Sequence, residues 1–264
     1  MKVKEIAAVL EEWAPPALAE SYDNVGLLVG WPEMEVSAAL INLDMTEEVI
    51  QEAIERNCQL VIAHHPIWFT ARRRLNGEDY VSRAIMLAIK NDIALYACHT
   101  NLDNIRSGVN QRICQQLGLQ QVAFLSPKAA EASLPEAGSG KIGLLPAPMT
   151  KREFLLHVKN AFGCGGIRYA DAPLEHIQRV AVCGGAGSFL TQQAIQQQAH
   201  AFVTADITYH KFFDNESKLL LLDIGHYESE QFTSHLISEY LLEKFPNFAV
   251  HLSKVVTNPV RYFA

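Results

Sequence analysis

The stretch that decides the fold is Leu219-Leu220-Leu221-Leu222-Asp223-Ile224-Gly225-His226-Tyr227-Glu228-Ser229-Glu230. Its first half is apolar apart from Asp223 and ends at a glycine, which is typical of a buried strand. Residues 228–244 then show apolar side chains at helical spacing. His226 and Glu230, four residues apart, therefore share one face of a helix that follows a strand. Such a pair can chelate a divalent metal, although alone it more often lies on a solvated surface.

Strands and helices alternate along the whole chain. We predict strands at residues 38–43, 60–63, 93–98, 141–145, 167–169, 180–183, 202–204 and 219–224, and a last strand within 249–256. Helices are predicted at residues 3–13, 47–57, 80–91, 108–117, 151–161 and 189–199. This alternation predicts an α/β fold with largely parallel strands. Residues 126–140, rich in Pro, Ala, Ser, Glu and Gly, are predicted to be a linker.

The composition is that of a globular α/β protein, with 49% hydrophobic and 19% charged residues in 264. A formal net charge of −7 argues against nucleic acid or an anionic membrane as the main partner. Residues 1–13 interleave charged with apolar side chains, so we predict neither a signal peptide nor a membrane span there. Five scattered cysteines without a C-x-x-C motif indicate a reduced, cytoplasmic protein.

Side chains of metal-ligand type follow four of the predicted strands. They are His64 with His65, His99 with Asp103, Asp206 with His210, and His226 with Glu230. Each group alone has a simpler interpretation, such as a loop histidine, a core histidine or an Asx turn. The carboxyl ends of strands in an open α/β sheet are where ligands bind, however, and all four groups lie at such ends. The sequence therefore predicts a metal site.

The number of these ligands indicates two ions. Five of them, His64, His65, Asp103, His226 and Glu230, exceed the three protein ligands of a catalytic zinc site. They suit a pair of divalent ions that generate a bridging hydroxide, with Glu230 as the bridging carboxylate. Three neutral imidazoles and two carboxylates leave an excess charge of about +2, which favours an anionic or polar substrate. Zinc, iron and manganese all accept such ligands.

Two further motifs leave alternatives open. Gly184-Gly185-Ala186-Gly187-Ser188 lies between a predicted strand and helix. It can be a tight turn, which we favour, or a phosphate cradle formed by backbone N–H groups. Arg72-Arg73-Arg74 is the one basic run, and we expect a solvated loop that binds an anionic substrate only if it lies beside a cleft.

Five motifs follow one another along the chain: Asp23-Asn24-Val25-Gly26, Ala63-His64-His65-Pro66, His99-Thr100-Asn101-Leu102-Asp103 with Gly108-Val109-Asn110, Thr204-Ala205-Asp206 with Tyr209-His210, and Gly225-His226-Tyr227-Glu228-Ser229-Glu230. In this order they resemble the motifs of the Nif-three-like family, often labelled GTP cyclohydrolase 1 type 2 homologues. The resemblance spans nearly the whole chain. It departs from the family at Tyr22, where Trp is frequent, and at Ala205, where Gly is frequent.

The resemblance implies two interlinked α/β lobes with mixed sheets flanked by helices, and a dinuclear metal site in the cleft between them. The lobes would be residues 1–125 and 141–264, with the final segment able to pack back on the first lobe. Residues 126–140 stand where longer members carry an inserted domain. The resemblance also implies a toroidal homohexamer. The family's metal ligands fall on His64, His65, Asp103, His226 and Glu230, the set reached above.

The function that follows is a metal-dependent hydrolase of a nucleotide or related heterocycle. In the family's labelled activity, this would be opening of the GTP imidazole ring. His99 and His210 are the candidates for proton transfer. Two alternatives use the same metal ligands: a non-catalytic scaffold or regulatory protein, and a phosphoesterase.

Overall fold

A computed structural model describes residues 1–129 and 134–263. The chain forms two compact units, Met1–Leu102 with Thr233–Thr257, and Asp103–Phe232 with Asn258–Ala264. We call them unit 1 and unit 2. Each is built on its own sheet with helices around it, which confirms the predicted α/β class with mixed sheets flanked by helices. These boundaries differ from the predicted lobes 1–125 and 141–264, because each unit takes segments from separate parts of the chain.

Unit 1 contains a five-stranded sheet in the order β1-β4-β3-β2-β11. Its strands are β1 (Gly26–Val29), β2 (Ala38–Asn42), β3 (Leu60–Ala63), β4 (Ala94–Ala97) and β11 (Ala249–Leu252). All neighbours are parallel except β1 and β4. Every residue of β2, β3 and β4 is buried, as expected for parallel strands covered on both faces.

The helices of unit 1 are α1 (Val3–Trp13), α2 (Glu47–Glu55), α3 (Tyr80–Lys90) and α9 (Thr233–Lys244). Thr46 is the N-cap of α2 and accepts a hydrogen bond from Val49 N. The apolar faces of α2 and α3 pack on one face of the sheet. The Trp13 ring of α1 stacks on Tyr240 of α9, with ring centroids 4.1 Å apart.

Unit 2 contains a six-stranded sheet in the order β5-β6-β8-β9-β10-β7. Its strands are β5 (Gln120–Pro127), β6 (Gly138–Thr150), β7 (Arg168–Ala170), β8 (His176–Val182), β9 (Ala201–Thr204) and β10 (Leu220–Asp223). Strands β8, β9 and β10 run parallel, and the other pairs are antiparallel. This sheet is therefore mixed, and its parallel part consists of the three neighbouring strands β8, β9 and β10.

Unit 2 also contains α5 (Val109–Gln116), α6 (Lys151–Phe162), α7 (Thr191–Gln196) and α8 (His226–Glu230), and the short helix α4 (Thr100–Asn104) ends within it. The helix predicted over residues 228–244 is in fact two, α8 and α9, separated by Gln231 and Phe232. The helix predicted over residues 189–199 begins as a 3-10 turn and becomes α7.

The predicted linker at residues 126–140 needs correction. Ser126 and Pro127 belong to β5, and Gly138 begins β6. The two strands pair antiparallel, with Phe124 opposite Lys141. Residues 130–133 lie outside the described residues. The sequence did not predict β5, because apolar and polar residues do not alternate strictly along it and most of its residues are not buried.

The described helices include none that is both long and apolar enough to cross a membrane. All five cysteines are buried as free thiols. The cytoplasmic location predicted from the sequence stays a prediction.

The segment after β11 is fastened to α2 by Glu52. Its carboxylate accepts hydrogen bonds from Ser253 Oγ at 2.5 Å and from Lys254 N at 3.0 Å. It also pairs with Arg56 Nη1 at 3.0 Å, one turn further along α2. The Glu52 side chain is only 12% exposed. Because these contacts join residues about two hundred positions apart, they hold the segment that follows β11 in unit 1.

We expect Glu52→Gln to lower the free energy of unfolding by about 1–2 kcal/mol at pH 7, since it weakens hydrogen bonds to a charged acceptor. Burial raises the pKa of Glu52, but the hydrogen bonds from Ser253, Lys254 and Arg56 outweigh it, and the pKa is lowered. The charge therefore stabilises the fold above the unfolded-state pKa of about 4.3, and this contribution is lost as pH falls through the folded-state value.

Urea unfolding of the wild type and Glu52→Gln between pH 7 and pH 3 measures this effect. The difference between the two proteins should shrink toward the acid end. Glu55→Gln is the matched control, because Glu55 is an exposed residue of the same helix. Equal losses for the two variants, or a difference independent of pH, would contradict the assigned role of Glu52.

Candidate metal centre

Three imidazoles come together at one end of the sheet of unit 1. His64 and His65 directly follow β3, and His99 follows β4, the neighbouring parallel strand. One ring nitrogen of each lies within 4.8 Å of those of the other two. His64 is fully buried, and the side chains of His65 and His99 are 16% and 13% exposed. The strand-end pattern in the sequence thus corresponds to a group able to hold a metal ion.

Each of these imidazoles directs Nδ1 to an oxygen acceptor. His64 Nδ1 lies 2.8 Å from the carbonyl oxygen of Cys98, and His65 Nδ1 lies 2.7 Å from Asp44 Oδ1. His99 Nδ1 lies 2.9 Å from Asp23 Oδ1. An oxygen acceptor keeps the proton on Nδ1 and leaves Nε2 as the lone-pair nitrogen, the form in which histidine binds metals.

Asp23 explains the presence of the Asp23-Asn24-Val25-Gly26 motif. Its side chain is fully buried and accepts hydrogen bonds from His99, from Thr100 N at 2.9 Å and from Asn24 N at 2.7 Å. The Thr100 hydroxyl also donates to it. Burial raises the pKa of Asp23, but the bonds from His99 and Thr100 outweigh burial and lower it to about 2. Asp23 is therefore an ionised acceptor that fixes His99.

Asp44 has a role that the sequence did not indicate. It lies two residues before Thr46, the N-cap of α2, and does not cap this helix itself. One Asp44 oxygen faces His65 Nδ1, and the other accepts a hydrogen bond from the Thr257 hydroxyl. No local sequence pattern could reveal this role of Asp44, because its partner Thr257 follows more than two hundred residues later.

The second ligand group lies in unit 2, on α8 and α4. His226 Nε2 is 3.0 Å from Glu230 Oε2, as the four-residue spacing predicts. A carboxylate oxygen of Asp103 lies within 4.8 Å of one of Glu230. His226 Nδ1 is 2.7 Å from Asp206 Oδ2, so this imidazole also has an oxygen acceptor at Nδ1. Glu230 is buried at 3% exposure, whereas the His226 side chain is 38% exposed.

The charges of this group favour a cation. Burial lowers the pKa of His226, but the carboxylates of Asp206 and Glu230 outweigh burial and raise it to about 11. Asp103 and Glu230 place two carboxylates close together, and Glu230 is out of water. Buried like charges are unfavourable unless a proton or cation lies between them. Imidazole and carboxylate donors in this arrangement therefore fit a divalent ion.

The glycine cluster makes room for Glu230. Gly185 has φ +58°, and a Cβ at this position would lie 2.6 Å from Glu230 Oε1. Its backbone N–H donates to Ser229 Oγ at 3.0 Å, and that of Gly187 donates to Thr204 Oγ1 at 2.9 Å. These donors are already engaged, so the cluster is a tight turn beside a carboxylate rather than an open phosphate cradle.

Asn110 links the same turn to Asp103. Its Oδ1 accepts from Gly184 N at 3.0 Å, and its Nδ2 donates to the Asp103 carbonyl oxygen at 3.1 Å. The Gly108-Val109-Asn110 motif thereby joins α4 to the glycine turn. The Asn110 side chain therefore holds the backbone of Asp103 and the backbone of the glycine turn that contacts Glu230.

Asp223, the polar residue in the apolar run, is a second support that sequence reasoning missed. It is 5% exposed and ends β10. Its carboxylate accepts from Ile207 N at 3.0 Å and Gly225 N at 3.2 Å, and it pairs with Arg168. It therefore connects the loop that carries Asp206 to the turn that carries His226.

Three motif residues of unit 2, His210, Glu228 and Ala205, are not among the candidate ligands of this group. His210 is exposed on a 3-10 segment, with its ring 5.2 Å from that of Tyr209, and it joins no ligand group in the described residues. Glu228 accepts from Asn258 Nδ2 at 3.2 Å. Ala205 replaces a frequent glycine without strain, because the positive φ of this turn, +53°, falls on Asp206.

We expect Gly185→Ala to weaken divalent-metal binding at least tenfold and to destabilise the protein, because its Cβ collides with the Glu230 carboxylate. Gly163→Ala is the matched control. Gly163 has φ +65°, but a Cβ added there would meet nothing within 4 Å, so the substitution costs only the backbone strain of about 1 kcal/mol. Zinc titration and thermal unfolding of both variants measure the difference. Identical behaviour would contradict a special fit at Gly185.

We expect Asp206→Asn to reduce metal affinity by about 10- to 100-fold, since the acceptor that orients His226 loses its charge. Competition with a chromophoric chelator measures the affinity. Asp171→Asn serves as the control, because Asp171 is an exposed aspartate of the same unit that pairs with Lys151. Unchanged affinity in Asp206→Asn would show that His226 needs no such acceptor.

Comparison with known proteins identifies relatives of the chain. Residues 1–259 match the family described as Duf34/NIF3 (NGG1p interacting factor 3). A GTP cyclohydrolase 1 type 2 homolog from Clostridium perfringens is 36% identical over 245 residues, 92% of each chain. A protein of the same name from Clostridium acetobutylicum is 35% identical, over 87% of this chain and 85% of its own.

A solved structure shows the same fold. It is described as a Bacillus cereus protein related to NIF3, and it superposes with a TM-score of 0.93 at 26% identity. The superposition covers 100% of this chain and 99% of that one. The resemblance carried by the five motifs is thereby confirmed, and the chain belongs to the Duf34/NIF3 family.

Proposed function

We propose that this protein is a dinuclear metal-dependent hydrolase that acts on a nucleotide or related heterocycle. One observation carries the proposal: each unit holds its own group of oriented metal ligands. Unit 1 offers His64 and His65, and unit 2 offers Asp103, His226 and Glu230. Neither group alone supplies the ligands of two ions, so the proposed dinuclear centre draws on both groups.

Within the proposed centre, Glu230 would be the bridging carboxylate. It lies 3.0 Å from His226 Nε2 and within 4.8 Å of an Asp103 oxygen, so it neighbours both other ligands of unit 2. Its burial and its fit against Gly185 fix it in place. The ions would be zinc, iron or manganese, which all accept mixed nitrogen and oxygen donors.

When bound, two divalent ions supply Lewis acidity and make a water molecule acidic enough to serve as a nucleophile near neutral pH. His99 accepts and returns the proton at Nε2, because Asp23 occupies Nδ1. The ionised Asp23 stabilises the imidazolium form of His99 during that transfer. His210, exposed beside Tyr209, is proposed as the second residue for proton transfer.

The substrate class follows from charge. Three imidazoles and two carboxylates around two divalent ions leave an excess of about +2, which attracts an anionic or strongly polar molecule. The relatives in Clostridium carry the name GTP cyclohydrolase 1 type 2 homolog. That name supports a purine nucleotide as the first substrate to test.

We expect purified protein, loaded with zinc, iron or manganese and then dialysed, to retain about two ions per chain by elemental analysis. The loaded protein should hydrolyse GTP or another member of a panel of nucleotides and phosphoesters. His226→Ala and Glu230→Gln should each lose most bound metal and turnover, because each removes a ligand of unit 2.

His176→Ala is the control, since His176 is an exposed histidine of the same unit. Fewer than about one ion per chain after loading would contradict the proposed two-ion centre. Full metal content without turnover on the whole panel would favour the scaffold alternative. Turnover of phosphoesters alone would favour the phosphoesterase.

The homohexamer implied by the resemblance is part of the proposal. Light scattering should give a mass close to six times the 29.4 kDa of one chain. A monomeric mass at micromolar concentration would contradict the assembly but not the metal centre.

A further inference from the structure

The helix that carries two of the candidate metal ligands, His226 and Glu230, is too short to hold its own position. α8 has five residues, and isolated helices of this length are unstable in water. The residue before it, Gly225, provides no side-chain cap. Its far end is fixed by Gln231, whose Nε2 donates to the carbonyl oxygen of Phe162 at 2.9 Å. The direction of the two ligands therefore depends on contacts that α8 makes with the rest of unit 2.

Glu228 lies on the face of α8 opposite to these ligands. It is two residues from each of them, which is a rotation of about 200° around the helix. Glu228 is buried at 6% exposure, and its Oε1 accepts a hydrogen bond from Asn258 Nδ2 at 3.2 Å. Because a buried carboxylate must keep its hydrogen bond, this contact opposes rotation of α8 about its axis.

Tyr262 packs between Glu228 and two glycine turns. Its ring lies against Gly165, where an added Cβ would collide with the ring. Its hydroxyl lies beside Gly225, the residue that precedes α8. An added Cβ at Gly225 would lie 3.1 Å from Tyr262 Oη and would collide with the Glu228 carboxylate. The absence of a side chain at both glycines therefore lets Tyr262 and Glu228 pack together at the start of α8.

The residue before Asn258 supports a candidate ligand of unit 1. Thr257 donates through its hydroxyl to Asp44, whose other carboxylate oxygen lies 2.7 Å from His65 Nδ1. Thr257 is the last residue of unit 1 along the chain, and Asn258 begins the final part of unit 2. Two consecutive residues thus each support one ligand group.

We propose that residues 257–262, which we call the support segment, position metal ligands in both units. In unit 1 the segment acts on His65 through Asp44, and in unit 2 it acts on α8 through Glu228. The inference rests on the proposed metal centre and adds positioning residues to it. Supports of this kind fix the ligands before an ion binds, which raises affinity because less ordering is left for the ion to impose.

Hydrogen exchange of the full-length, metal-free protein tests the support of α8 without any ion. The reporters are the backbone amides of Ser229 and Gln231, which donate within α8 and at its end. We expect Asn258→Ala and Tyr262→Ala to speed their exchange about tenfold or more, while amides of the sheet of unit 2 keep their wild-type rates. Mass spectrometry of peptides covering residues 225–231 measures this. Faster exchange throughout unit 2 would indicate a role in global stability alone and would contradict the inference.

Cobalt(II) binding tests the effect on the ligands themselves. Cobalt is a suitable probe because its visible absorption depends on the geometry of its ligands. We expect Asn258→Ala and Tyr262→Ala to weaken cobalt binding about 10- to 100-fold and to change the spectrum, since the ligands on α8 lose their fixed direction. Thr257→Val keeps the shape of the side chain without its hydroxyl, and it should weaken cobalt binding through Asp44.

Two controls match these variants. Phe263→Ala removes the exposed aromatic ring next to Tyr262, and Thr70→Val removes an exposed threonine hydroxyl of unit 1. Both should match the wild type in exchange and in cobalt binding. If Tyr262→Ala does not fold, Asn258→Ala, which removes the side-chain donor to Glu228, still gives the test. Support-segment variants that behave like the controls would overturn the inference.

The outcomes separate this inference from the proposed hydrolase. If the wild type binds no cobalt but exchange in α8 still depends on Asn258 and Tyr262, the support of α8 stands and the metal centre is removed. If cobalt binds tightly and equally to the wild type and all three variants, the metal centre stands and the inference is overturned.

Discussion

The buried carboxylate of Glu230 is the constraint around which unit 2 is arranged. It lies close to the carboxylate of Asp103 and receives His226 Nε2 at 3.0 Å. Two acidic groups held this close, one of them out of water, require positive charge. The glycine turn, Asn110 and Asp223 all serve that arrangement, because they fix the backbone around a group that burial would otherwise expel.

A common rule governs the histidines of both ligand groups. Each has Nδ1 against an oxygen, from a backbone carbonyl for His64 and from carboxylates for His65, His99 and His226. The supporting carboxylates differ in exposure, from the fully buried Asp23 to Asp206, whose side chain is 52% exposed. Orientation is thus set before any ion binds, so ligand reorganisation costs little when one does.

The candidate ligand residues could be found in the sequence because each lies one to seven residues after an apolar strand, and strand ends are local patterns. Their supports could not. Asp44, Asp23 and Asp223 act through partners that are distant in sequence or through backbone amides, and no spacing rule reports such contacts. The same limit explains the missed strand β5 and the division of the helix at residues 228–244, where tertiary packing overrides a periodicity that continues across the break.

Unit 1 is built from two separate parts of the chain, residues 1–102 and residues 233–257. The second part supplies α9 and also β11, which pairs with a sheet whose other strands lie within the first hundred residues. The neighbour of β2 and the threonine that holds Asp44 both come from residues 249–257, more than two hundred positions after their partners. Unit 2 has almost all of its residues earlier and can fold first. Of the three imidazoles of unit 1, His65 is therefore the one whose support, through Asp44, depends on the segment after β11.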